Sequence, residues 1–263
     1  MLINNRVIWK DNTVYKDLSV KLSKLNGGGQ VIDFVAADDA LYIGSDHPFN
    51  HRYFEVSVVN DVTSVIDVKI WTGSAFESVV DIIDQTASGT VPLAQSGTLS
   101  WSVDRNKYWA LANTTEDIAE LTTLKIYKMY WAKITFSASL KATTKIGYIG
   151  HVFAEDNDLY GKYPDLSRTN MKTAFLSTKT TWKDQIILSS EDIVRDLRKK
   201  NIIWSRNQIL NWELFMEPCI HKTAELVYAA FGDDYEDDRV RARAYYDEAF
   251  NMINFEVDLD EDA

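Results

Sequence analysis

Between about Tyr163 and Thr181 the chain changes rhythm. Before that stretch, short segments rich in Val, Ile, Thr and aromatic residues alternate apolar with polar positions. After it, apolar residues recur three and four apart. A period of two belongs to strands and a period of 3.6 to helices, so blocks of each in succession predict an α+β chain with its sheets first and its helices last.

The strand signals are dense. Val31 to Phe34, Ala40 to Gly44, Tyr53 to Val59, Val65 to Trp71, Phe76 to Val80, Thr98 to Val103, Leu124 to Phe136 and Lys145 to His151 all read as strands. Ile66, Val68 and Ile70 alternate with Asp67 and Lys69, as on a sheet with one buried and one wet face. Turn clusters such as Thr72-Gly73-Ser74 and Ser88-Gly89 separate the segments, which predicts an antiparallel β-sandwich of jelly-roll type over residues 31–160. Residues 1–30 read as N-terminal strands or an arm, with short strands at Arg6 to Trp9 and Leu18 to Leu22. Glu116 to Leu121 reads as one short helix.

A Ser/Thr-rich linker is expected over residues 161–180, and a helical domain over 181–253. Trp182, Ile186, Ser189, Ile193 and Leu197 recur at helical spacing, with Thr181 as N-cap, Asp184 in the first turn and Arg198-Lys199-Lys200 at the C-terminus. A second helix should begin near Pro218, bury Ile220, Ala224 and Val227, and stop at Gly232. A third, from about Asp237 to Ile253, is expected to bury Val240, Ala244, Ala249 and Met252. Residues 254–263 form an acidic, extended tail in which Phe255, Val257 and Leu259 alternate with acids, like a strand awaiting a partner.

The chain has 263 residues, 46% of them hydrophobic, which can support a sizeable core. Met1 is followed by Leu2, Ile3, Asn4, Asn5 and Arg6, without the basic start and apolar run of a signal peptide, and a soluble, unexported protein is the expectation. The only cysteine, Cys219, excludes an internal disulfide and suits a reducing cytoplasm. Of the net charge of −11, residues 233–263 contribute −9 through twelve acids and three arginines. Such a chain does not hold nucleic acid by neutralising phosphates.

No motif for catalysis stands out. Asn26-Gly27-Gly28-Gly29 lacks the Lys-Ser or Lys-Thr of a phosphate loop and reads as a flexible turn. His47 and His51 flank Pro48, which argues against the continuous helix that would align them as metal ligands. His151 and His221 are isolated, and neither a Gly-x-Ser-x-Gly elbow nor an HExxH motif gives them a role. Four of the eight tryptophans, Trp71, Trp101, Trp109 and Trp131, fall in the strand-rich part, where they serve either the core or a sugar-stacking platform. Trp71, beside a turn, is the expected exposed one and Trp131 the expected buried one. The run Asp233-Asp234-Tyr235-Glu236-Asp237-Asp238 lacks the glycine and terminal glutamate of an EF-hand loop. No catalytic residue, cofactor or metal is expected.

Two stretches carry a resemblance. Asp39 to Asn50, continuing to Tyr53-Phe54-Glu55-Val56 and Trp71 to Phe76, with Ser96 to Trp101 and Tyr130 to Ile134, resembles a β-sandwich of tailed-bacteriophage structural proteins. Ser190 to Arg198, His221 to Tyr228 and the helix through Tyr245 resemble the helical core of phage head-to-tail connector (adaptor, head-completion or neck) proteins. The resemblance implies a non-enzymatic virion protein made in the cytoplasm of a bacterial host. It would form a ring of about twelve copies between the portal protein and a neck, stopper or tail protein, with the sandwich at the periphery against the capsid vertex, a neighbouring subunit or a neck component. Genomic DNA would pass through without specific binding. On this reading Phe255, Val257 and Leu259 dock onto the portal, and Asp233, Asp234, Asp237 and Asp238 face the DNA channel. Twelve copies would bring roughly −130 of formal charge, which repels a polyanion within a screening length. The alternatives are a carbohydrate-binding or decorative virion protein, and a hydrolase with a site assembled from distant residues.

Overall fold

The computed structural model describes residues 5–25, 27–104 and 106–253. The chain divides into two compact units, the first ending at Gly150 and the second starting at His151. Antiparallel sheets make up the first and helices the second, in the order the change of rhythm predicts.

In the first unit the strands are β1 (Asn5–Asp11), β2 (Val14–Asp17), β3 (Gln30–Val31), β4 (Ala40–Ser45), β5 (His51–Val58), β6 (Ile66–Trp71) and β7 (Phe76–Ser78). They continue with β8 (Val80–Asp84), β9 (Gly97–Ser102), β10 (Leu111–Thr114), β11 (Tyr127–Phe136) and β12 (Lys145–Gly150). The larger sheet runs β2-β1-β4-β11-β6-β7, with β10 also pairing β11. The smaller runs β3-β12-β5-β9-β8. Every pairing is antiparallel. The strand expected at Arg6 to Trp9 is present as β1, which lies between β2 and β4, inside the larger sheet. Leu18 to Leu22 is not a strand: Ser19–Leu22 forms a single helical turn, α1, where the Asp17 carboxylate accepts the Ser19 N–H at 2.9 Å and starts the turn.

One core joins the two sheets. Val7, Leu41, Ile43 and Ile134 from the larger sheet meet Phe54, Leu99, Trp101 and Ile146 from the smaller. The larger sheet is also covered on its other face, where Ile8, Tyr42, Trp71 and Trp131 pack against Ile118 and Leu121. That second layer explains why β4 is buried at every position: Leu41 and Ile43 face one core while Ala40 and Tyr42 face the other. The covering segment forms a 3-10 turn at Thr115–Asp117 instead of the expected helix over Glu116 to Leu121. It is pinned by Glu120, whose carboxylate accepts from the Tyr42 hydroxyl and pairs with Lys133. Trp71, expected to be exposed, is 5% exposed because this layer encloses it.

The second unit holds α2 (Asp156–Lys162), α3 (Thr169–Phe175), α4 (Lys183–Lys199), α5 (Met216–Ala229) and α6 (Glu236–Asn251). Residues 161–180, expected as a linker, are therefore largely helical. Glu155 and Asp158 close a capping box at the start of α2, and Leu159, Leu166 and Met171 are buried along the stretch. α4 starts at Lys183 with Trp182, not Thr181, at the N-cap position. The Trp182 N–H donates to Asp156 at 2.8 Å, and its indole N–H to the Leu166 carbonyl at 2.7 Å.

Ile186, Ser189, Ile193 and Leu197 of α4 and Ile220, Ala224 and Val227 of α5 are buried, as their spacing predicts. On α6 the buried residues are Ala242, Tyr246 and Phe250. Val240 and Met252, expected inside, are 54% and 70% exposed. Burial on that helix follows the two aromatics, whose rings stack 5.5 Å apart while the Tyr246 hydroxyl donates to Asp196 at 2.9 Å. Among the described residues no helix is long and apolar enough to cross a membrane.

Candidate functional site

A cleft of about 420 Å³ opens in the helical unit where the end of α2 meets α5 and α6. The sequence dictates how its side chains arrive. Pro164 follows Tyr163 and forbids α2 to continue, so Tyr163 leaves the helix at φ −127° and ψ 75° and turns its ring toward α5. On α5, Glu217 and His221 stand four residues apart on one face. Tyr245 and Glu248 of α6, with Met252 at its C-cap, share a face by the same periodicity and supply the remaining wall.

His221 is the centre of the site. It is 6% exposed, with Nδ1 2.7 Å from the Tyr163 hydroxyl and Nε2 3.7 Å from Glu217. Burial, opposed by the Glu217 charge, holds the imidazole below its ordinary 6.5. Burial likewise raises the Tyr163 phenol, with the Tyr228 and Tyr245 hydroxyls adding to the shift. The Glu217 carboxylate can only accept, which favours the N–H on Nε2, facing it, and leaves Nδ1 to accept from the Tyr163 hydroxyl. Glu217 also takes Lys162 Nζ at 2.8 Å, and this bond is the main cause of its lowered pKa.

Ring contacts extend from the cleft. Tyr245 lies 5.4 Å from the imidazole and Tyr163 5.7 Å from it, edge to face, and Tyr163 is in turn 6.1 Å from Tyr228. Tyr228 stacks on Tyr235 at 5.7 Å. The site thus offers a neutral base in a fixed tautomer, two carboxylates and exposed ring surface. None of its lining side chains is a serine, threonine or cysteine that could act as nucleophile. Such an arrangement can hold a charged or planar group.

The acidic residues singled out from the sequence lie close by. Asp233 and Asp234 are exposed in the 3-10 turn Gly232–Tyr235, and Asp237 and Asp238 occupy the first turn of α6, where negative charge favours the helix dipole. Arg241 reaches Asp238 at 3.6 Å, and Arg239 pairs with Glu236 at 2.8 Å. Asp238 also raises the phenols of Tyr163 and Tyr228 by its charge, which brings the acidic turn within electrostatic range of the cleft. Phe255, Val257 and Leu259 lie outside the described residues.

The other candidates fall elsewhere. His51 is fully buried, its Nδ1 2.9 Å from the Asn50 side chain, and burial and Arg52 hold it well below 6.5. His47 lies 3.3 Å from Asp46. Among the described residues no cluster of three or more His, Cys, Asp or Glu could hold a metal ion. Trp101, Trp109 and Trp131 are 3%, 3% and 0% exposed, so with Trp71 they form core, not a platform. The Cys219 thiol is buried 3.4 Å from the Ser190 hydroxyl, and burial pushes its pKa up to about 11. No protein-family model, no curated protein and no solved structure matches this chain.

Proposed function

We propose that this chain is a structural subunit of a tailed-bacteriophage virion, a head-to-tail connector that assembles as a ring between the portal protein and a neck, stopper or tail protein. The observation that supports this reading is the way three separated segments come together. Those that carry the connector resemblance lie on α4, α5 and α6, and the three helices are tied pairwise. Thr223 donates to Ser189 at 2.9 Å, Tyr246 to Asp196 at 2.9 Å, and Arg243 meets Glu225 at 3.4 Å. A unit of two antiparallel sheets, proposed as a sandwich near the capsid vertex, precedes them.

The work of such a subunit is geometric and electrostatic, without a bond made or broken. Its acidic segment, with Asp233, Asp234 and Asp237 exposed and Asp238 half-buried, would repel DNA from the channel wall, so that the genome passes without being gripped. The tail with Phe255, Val257 and Leu259 would dock onto the portal as an added strand or arm. Assembly would take place in the cytoplasm of the bacterial host and the product would reside in the virion.

Negative-stain microscopy of this chain mixed with a matching portal protein tests the reading. A ring seated on the portal is expected, and removal of residues 254–263 should abolish attachment while leaving a folded subunit. Particles that fill, seal and infect without this polypeptide would overturn it.

A further inference from the structure

The cleft between α2, α5 and α6 carries more negative than positive charge. Its one lysine, Lys162, is already bonded to Glu217 at 2.8 Å, whereas Glu248 on the α6 wall enters no ion pair among the described residues. The same cleft is lined by the Tyr245 ring, 45% exposed, which lies 5.4 Å from the buried imidazole of His221. At the rim, Met252 presents an apolar side chain that is 70% exposed. A volume of about 420 Å³ lies in the size range of sites that enclose a small ligand or a large side chain.

These features select a ligand class. An anion would meet two carboxylates and a lysine already engaged. A neutral sugar would leave Glu248 without a charge partner. An ammonium group is compact and strongly hydrated and gains little from a ring face. A guanidinium is planar and weakly hydrated, stacks on aromatic rings and matches a carboxylate with two parallel N–H donors. The methylene stem that carries it suits the apolar rim at Met252. We propose that this cleft binds the arginine side chain of a partner polypeptide, with Glu248 as its charge partner and the Tyr245 ring as its stacking surface. The assignment stands on the cleft alone and holds whether or not the chain is a connector.

The test is a titration of the full chain with N-acetyl-arginine amide, followed by NMR of the Tyr245 and His221 ring signals. Saturable shifts of both rings are expected. The isosteric but neutral N-acetyl-citrulline amide should bind at least about fivefold more weakly, as should N-acetyl-arginine amide to Glu248→Gln and Tyr245→Ala, the loss expected when a partly exposed charge pair or ring contact is removed. Both positions are exposed, and unchanged circular dichroism establishes that the variants fold. The citrulline comparison needs no variant at all. Three results would overturn the proposal: no saturable shift up to about 50 mM of the arginine probe, beyond the affinity range of a specific contact; equal binding of citrulline; or wild-type affinity in both variants. Tighter binding of agmatine than of the capped arginine would also overturn it, by assigning the site to a small metabolite in place of a polypeptide.

Discussion

The Tyr163 hydroxyl stands 2.7 Å from Nδ1 of His221 and ties the end of α2 to the middle of α5. Glu217, which can only accept, faces Nε2, so the imidazole is held as the Nε2–H tautomer and Nδ1 accepts from the phenol. Tyr163→Phe should leave a buried acceptor unpaired and cost about 1–2 kcal/mol in urea unfolding. Nitrogen-15 spectra of the histidine rings should show His221 as the Nε2–H form in the native chain, with the Nδ1–H form appearing in the variant. An unaltered tautomer pattern would mean that the hydroxyl does not set it.

Stability should fall as the solution is acidified through the range where free histidine titrates. Burial lowers the His221 pKa from 6.5, so the unfolded chain binds its proton first. The stability linked to this group is whole above about pH 6.5 and is lost as pH falls toward the folded value. Glu217 and Glu248 oppose the shift and Lys162 adds to it, with the Tyr163 phenol, raised by burial, neutral throughout. His51, shifted down in the same way, contributes with the same sign. His221→Gln should therefore lose less of its urea midpoint between about pH 7.5 and 5.5 than the native chain does. Equal losses in the two proteins would assign the whole effect to groups outside the cleft.

Gly44 on β4 lies directly opposite Trp131 on β11, and a Cβ at position 44 would come within 2.9 Å of the indole ring. The indole is fully buried beneath the layer formed by Ile118 and Leu121, so it has little room to withdraw. Gly44→Ala should cost about 1–3 kcal/mol by overpacking. Combining it with Trp131→Leu should show coupling, the double variant losing less than the two single changes together. Simple additivity would place the strain elsewhere.

The period-two segments and the helices α4 and α5 were legible because the aliphatic residues at helical spacing, such as Ile186, Ile193 and Leu197 on α4 and Ile220 and Val227 on α5, are buried. The face of α6 was not. Its aliphatic residues scatter around the helix, and the core takes Tyr246 and Phe250, whose rings bury more area than Val240 could. The helical turns over residues 161–175 were masked by Ser and Thr, which read as linker until the buried Leu166 and Met171 are seen. The cleft was illegible for a different reason. Its side chains come from positions 162–163, 217–221 and 245–252, and only tertiary packing brings them together. His221 alone gave a signal, as a solitary histidine on a helix face.

Trp204 gives the last prediction, because it reverses the sequence-based expectation for Trp71. It is 75% exposed in the helical unit, whereas Trp9, Trp71, Trp101, Trp109, Trp131 and Trp182 are each at most 5% exposed. Caesium ion is drawn to a chain of net charge −11 and quenches only indoles it can touch, so it should reach Trp204 first. Trp204→Phe should remove most of the quenchable emission and Trp71→Phe very little. The reverse outcome would expose Trp71 at the β6–β7 turn, and would return a sugar-stacking role to the strand-rich unit.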